Sequence, residues 1–245
     1  MATRAGGGRF GERDAPFFYT AMGLFVLLVV FAGFARTYYL ADFLPAPERA
    51  PPMTAVLHLH AAAFTLWIAL MALQPALVSA GQVALHRRIG LAGAGLALFV
   101  WLFGNVAAID AIHHGYRGLG DPYAFYAITF FSIQAFAVFV LLGIARRGDG
   151  DSHKRLMLLS NAAILEAAVG RLPLDLVAAT APLSFYVGAN LVIAAGIVHD
   201  LLVRGRVHPV WIWGGGGLVL SQVLRVAVMD SPWWLAFARA AAGFW

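Results

Sequence analysis

Apolar residues run almost unbroken for twenty or so positions at a time along this chain, and the polar ones collect in the gaps between. Seven such runs cover 17–40, 53–80, 91–112, 123–145, 156–180, 182–203 and 210–229. Each is long enough to cross a hydrocarbon core of roughly 30 Å as a helix rising about 1.5 Å per residue. The pattern therefore predicts an all-α integral membrane bundle of about seven transmembrane helices. Residues 1–16 precede the bundle and 231–245 follow it. Arg4, Arg9 and Arg13 stand before the first run as they would before a signal peptide. The run is too long for an h-region, however, and has no clear cleavage site behind it, so a retained helix is expected.

Composition agrees with the pattern. The hydrophobic fraction is 61% and the charged fraction 12%, against about 45–50% and about 25% in ordinary soluble domains. Seven spans and their connections use nearly all of the 245 residues, so a single membrane domain is expected. With no cysteine in the chain, disulfides, thiolate metal sites and a cysteine nucleophile are excluded. Basic residues are retained on the cytoplasmic side during insertion. An N-terminus inside puts eleven of the seventeen Lys and Arg residues on that side: Arg4, Arg9, Arg13, Arg87, Arg88, Arg146, Arg147, Lys154, Arg155, Arg204 and Arg206. The net charge of +5 is thus read as a topology signal for a bacterial cytoplasmic membrane rather than as affinity for nucleic acid. Beyond the last run, Trp233, Phe237, Ala240 and Phe244 share one helical stripe, which predicts an aromatic anchor in the interface. The glycine run 214–217 reads as close helix packing, and Pro75 and Pro173 as kinks within helices.

Candidate chemistry lies in the polar residues inside or just beyond the runs. His58 and His60 fall roughly 7–10 Å below the outer end of the second helix by helical rise. They project about 200° apart, so one of them faces the bundle. His60 is the better candidate, since Trp67 and Gln74 share its stripe. Glu166 is the costliest residue, because an ionised carboxylate in hydrocarbon costs several kcal/mol unless it is paired, protonated or wet. Arg171 and Arg225 lie in the same outer third, and Arg225 is the better partner by direction. Asn105, Gln134 and Asn190 add polar groups at mid-depth. His86, His153 and His199 gather at the inner face, and His113 and His114 at the outer end beside Asp110. Neutral imidazole binds transition metals and can ligate haem iron. His58, His60, His86, His153 and His199 are therefore candidate haem ligands, and His60, His113 and His114 candidate metal ligands.

Two segments carry a resemblance. His58-Leu59-His60, Phe64-Thr65-Leu66-Trp67, Gln74 and Leu85-His86-Arg87-Arg88-Ile89-Gly90 form the first, and His153-Lys154-Arg155-Leu156-Met157-Leu158-Leu159 the second. Together with Arg36-Thr37-Tyr38-Tyr39-Leu40 they resemble a broad group of uncharacterised bacterial multi-helix membrane proteins, a domain of unknown function. That resemblance covers about half the chain, singles out His60, Gln74, His86, Arg88, His153 and Arg155, and implies no activity. A looser likeness is to diheme b-type cytochromes, which implies haem b held between histidines of neighbouring helices.

Three functions are thereby expected in order: an electron-transfer protein binding haem b or a metal ion and exchanging electrons with a quinone, an accessory or assembly subunit of a larger membrane complex, and a proton-coupled transporter. A retinal protein would need a lysine within a helix, and Lys154 sits at a loop edge. No His-Glu-x-x-His or Gly-x-Ser-x-Gly motif occurs, so no catalytic residue is expected.

Overall fold

In a computed structural model of the chain, residues 11–45, 47, 52–114 and 120–244 are described, and among them there are helices and turns but no strand. Helix α1 spans Gly11–Phe34 and runs on as a π-helical turn, Ala35–Tyr39. It is followed by α2 (Ala55–Ser79), α3 (Val83–His113), α4 (Pro122–Ala145), α5 (Gly150–Ile164) and the single turn α6 (Glu166–Val169). A short α7 (Asp175–Ala179) and a 3-10 turn, Leu183–Tyr186, lead into α8 (Val187–Arg204). A second π-helical turn, Trp211–Gly215, opens α9 (Gly216–Val228), and α10 (Pro232–Gly243) follows. Six of the described helices are long and apolar enough to cross a membrane. The protein is a multi-pass membrane protein. The end of the bundle that carries Arg146, Arg147, Lys154 and Arg204 is called the basic end below, and its opposite the far end.

The fifth traverse is different in kind. It is broken, α5 stepping into α6 at Leu165, whose N–H reaches the Ala162 carbonyl three residues back at 3.3 Å instead of four. From Gly150 to Val169 the chain still rises about 30 Å. They form the axis of the bundle, packed by α1, α2, α4 and α8, with Leu156, Leu159, Ala162, Ala163 and Leu165 all buried. A helix enclosed by protein need not be apolar on every side, and Ser160, Asn161 and Glu166 are buried here too. After Val169 the chain leaves the helix, so the expected span 156–180 is cut short. Pro173 lies in the following turn rather than inside a helix, and Arg171 stands just beyond α6 instead of within a span. Pro75 does lie inside α2.

Close packing is set by small residues. A Cβ on Gly214 would come within 2.8 Å of Leu159 Cδ1, and one on Gly215 within 3.1 Å of Ile193 Cγ2, while Gly216 and Gly217 face open space. Half of the glycine run thus serves packing. Turns are set by chemistry of the same local kind. Gly205, at φ +67°, takes the left-handed conformation that ends α8. At α5, Asp149 accepts from the Asp151 and Ser152 N–H groups at 3.1 and 3.3 Å. At the far end α10 docks through Trp234, Ala238 and Ala242, Trp234 Nε1 donating to the Tyr123 carbonyl at 2.9 Å. Its opposite stripe, Trp233, Phe237, Ala240 and Phe244, is exposed, so one face of this segment is a packed helix and the other the expected aromatic surface.

Charge is buried at the basic end of the axis. Arg155 is 1% exposed and Asp200, on α8, is 0%. Arg155 Nε donates to Asp200 Oδ2 at 3.0 Å, and Nη2 donates to Oδ1. Asp200 Oδ2 also accepts the His208 N–H at 3.1 Å, tying the loop between α8 and α9 to the pair. The His208 ring in turn accepts from the Val210 N–H at 3.2 Å through Nδ1.

Removing one partner of a buried pair strands the other. Arg155 keeps the partly exposed Asp151 carboxylate at 3.3 Å as a second partner, so Asp200→Ala is expected to lower unfolding stability by about 3 kcal/mol, the low end for a broken buried pair, and the double replacement Arg155→Met with Asp200→Leu to recover much of it. Thermal unfolding in detergent checks both. A second prediction concerns pH. Burial, helped by the Arg155 and Arg204 cations, holds the His208 imidazole below its ordinary range. A depressed folded-state value gives stability that is present above the ordinary histidine value of about 6.5 and is lost as the pH falls below it. Amide exchange of Gly205, Arg206, Val207, His208 and Val210 should accelerate on acidification from pH 7.5 to 5, and His208→Asn, which keeps an acceptor, should blunt that change.

Candidate functional site

Glu166 opens α6 on the bundle axis and is met from two sides. Arg225 on α9 donates through Nη1 to Glu166 Oε2 at 2.8 Å and also to Ser132 Oγ on α4. Ser132 Oγ in turn donates a hydrogen bond to Glu166 Oε1. Nη2 of Arg225 donates to Ser221 Oγ, one turn earlier on α9, at 2.9 Å, and its buried Nε has no partner among the described residues. The Tyr186 ring lies 5.7 Å from the guanidinium, a cation–π contact. Glu166 is 5% exposed and Arg225 1%. A pair so enclosed is electrically neutral as a unit, which removes most of the cost of placing either charge in hydrocarbon.

Beside this pair lies a cavity of about 220 Å³. Its lining runs from Tyr38, Met53 and Pro122 at the far end down to Asn161, Ser132 and Glu166 at mid-depth, between apolar walls that include Phe34, Phe64 and Ile133. His60 and Arg171 line it as well. The His60 ring packs on Phe64 with centroids 4.2 Å apart. It is hydrogen-bonded to the Phe103 backbone, and its Nδ1 has no partner among the described residues. Arg171 donates to the Ala167 carbonyl at 2.7 Å and lies 4.8 Å from the Phe34 ring. Among the described residues no carboxylate comes within ion-pairing distance of it. Nearby, Tyr39 and Thr65 share a hydrogen bond of 2.8 Å, and Thr65 donates on to the Ala61 carbonyl. Asn161 accepts from Trp67 Nε1 at 3.1 Å and donates to the Met157 carbonyl at 2.8 Å.

The other candidates do not converge on this cavity. His58, two residues from His60, is exposed on the other side of α2, as the 200° offset requires. Gln74 is buried where α2 meets α3, and its backbone carbonyl lies 3.3 Å from His86 Nδ1. His86 and His153 do meet at the basic end, ring centroids 6.3 Å apart and edge to face, with His153 Nδ1 donating to the Gly143 carbonyl at 2.8 Å. His199 stacks instead on Phe18 of α1 at 4.0 Å. At the far end His113 Nε2 donates to the Ala242 carbonyl at 2.9 Å, and His114 Nδ1 lies 3.3 Å from Asp110 Oδ1. Asn105, Gln134 and Trp101 close a hydrogen-bonded triangle between α3 and α4 at 2.8–2.9 Å. Asn190 is exposed on α8 and lines nothing enclosed. Ser132, Asn161 and Tyr39 carry no sequence signal of their own, because hydroxyls and amides in membrane helices usually serve helix packing.

Among the described residues no three His, Asp or Glu side chains gather as metal ligands. His60 is the one histidine among the described residues that line the cavity. No family model, no curated protein and no solved structure matches the chain.

The pair and its hydroxyl bridge rank differently in energy. Glu166→Ala strands a buried guanidinium and should cost about 3–5 kcal/mol, whereas Ser132→Ala removes a bridging hydroxyl but leaves the pair and should cost about 1–3 kcal/mol. Chemical or thermal unfolding of the two variants in the same detergent checks the order.

Proposed function

We propose that this protein is an intramembrane binding protein for a compact amphipathic molecule, with the cavity between α1, α2, α3, α4 and α6 as its site. The observation that carries the reading is the cavity itself: an apolar enclosure, reaching the far end of the bundle, into which a few polar side chains converge. Small-molecule sites have this makeup, mostly apolar walls with a small number of placed polar groups. At about 220 Å³ it lies below the roughly 300–1,000 Å³ usual for drug-sized ligands, so the occupant is small. The apolar walls would take its hydrocarbon part, and His60, Arg171 and the Tyr39–Thr65 pair would meet its polar end. The bias of basic residues supports a bacterial cytoplasmic membrane as the setting, with the basic end inside.

In lipid nanodiscs, 1-octanol is expected to bind saturably at one site per chain, read by calorimetry against empty nanodiscs. Ala61→Phe, which puts a ring into the cavity, should reduce that binding at least tenfold while leaving the unfolding temperature within a few degrees. Absence of saturable binding to the natural chain, or undiminished binding to a folded Ala61→Phe variant, would contradict the reading.

A further inference from the structure

The cavity carries a charge that no described residue nearby balances, and that charge selects among amphiphiles. Glu166, Ser132 and Arg225 form a closed set in which the carboxylate is matched by one guanidinium. Arg171, five residues further along the chain, belongs to no such set. It is held by a backbone carbonyl and an aromatic face, neither of which neutralises it. His60 adds a ring nitrogen without a partner among the described residues, and the Tyr39 hydroxyl is already used on Thr65. Among the described lining residues the formal charges are thus Arg171 and Glu166, and Glu166 is already spent on Arg225. Arg171 is half-buried against the cavity, and a cation so placed is stabilised by whichever counter-charge or water the cavity admits.

Resting on the binding role proposed above, we infer that the occupant is a monoanionic amphiphile, its carboxylate or phosphate held by Arg171 beside His60 and its hydrocarbon part against the apolar walls. Guanidinium is suited to this task because its planar donors match an oxyanion at two points. The anion can come from a free single-chain acid or from the headgroup of a lipid in the leaflet around the far end. Both place the same oxyanion on the same guanidinium.

Three probes with one chain length separate head from tail: octanoate, 1-octanol and octylamine, titrated at pH 8 into the full chain in phosphatidylcholine nanodiscs. Octanoate is expected to bind at least tenfold more tightly than 1-octanol, and octylamine more weakly than either. Arg171→Gln should erase the preference for octanoate while leaving 1-octanol within about twofold, and Arg171→Lys should keep part of it. Unfolding temperatures of both variants guard against a general loss of fold. Octanoate affinity that falls when phosphatidylglycerol replaces part of the phosphatidylcholine supports the site with a lipid headgroup as the source, and affinity indifferent to that change supports it with a free acid. Equal binding of octanoate and 1-octanol, or a preference that survives Arg171→Gln, would overturn the anion inference and leave the cavity role standing. Failure of all three probes to bind would remove both.

Discussion

Everything in this bundle is arranged around the need to bury charge on its central helix without leaving any of it alone. The axis contributes Arg155 to Asp200 of α8 near the basic end and Glu166 to Arg225 of α9 toward the far end. Eleven residues separate the two points, about 16 Å along a helix. A carboxylate or guanidinium facing lipid there would cost several kcal/mol, so the register of α8 and α9 against the axis is fixed by ion pairs whose loss is expensive. Apolar packing alone would not fix it, since lipid tails solvate leucine as well as a neighbouring helix does.

Two consequences follow from that arrangement. The first is mechanical: at the basic end the Asp200 carboxylate serves Arg155 and the His208 N–H together, so the α8–α9 connection is tied to the axis. The second is functional. Where the axis breaks at Leu165 and the chain leaves it after Val169, helix packing is interrupted, and the cavity opens beside that interruption. Its deepest polar members, Ser132 and Glu166, belong to the ion-paired set and are rigidly held, while Arg171 and His60, nearer the far end, keep bonding capacity in reserve.

Much of this was legible in the residues. Helix positions followed from the length of the apolar runs, and Glu166 with Arg225 followed from cost and direction, since a charge at that depth requires a partner from a helix able to face it. The interruption of the fifth traverse was not legible, because 156–180 is apolar enough to read as one helix and the break depends on how the turn after Val169 packs. Asp200 sits at the end of α8, where an acid ordinarily meets solvent, so its complete burial had no local mark. The partners of the histidines were hidden for a related reason. Eight of them in one chain suggest convergence, yet they settle singly or in one pair, most of them against backbone carbonyls or aromatic rings, and spacing along helices does not reveal such tertiary partners. Asn190 stood at the right depth but on the wrong side of α8, a difference of rotation that an apolar helix does not encode.

The proposed binding role requires the space beside Glu166 to be an accessible, largely apolar cavity with a few placed polar groups rather than a sealed packing defect. The absence of cysteine in the natural chain makes a direct measurement possible: introduce Ala167→Cys, on the cavity wall, and separately Leu224→Cys, on an exposed apolar face of α9, and follow their alkylation by N-ethylmaleimide in nanodiscs. A thiol reacts as its thiolate, which forms in a wet, cation-lined space and not in lipid. Alkylation at position 167, slowed by octanoate, with none at position 224, is the predicted result. An unreactive thiol at 167 in a folded protein would contradict it.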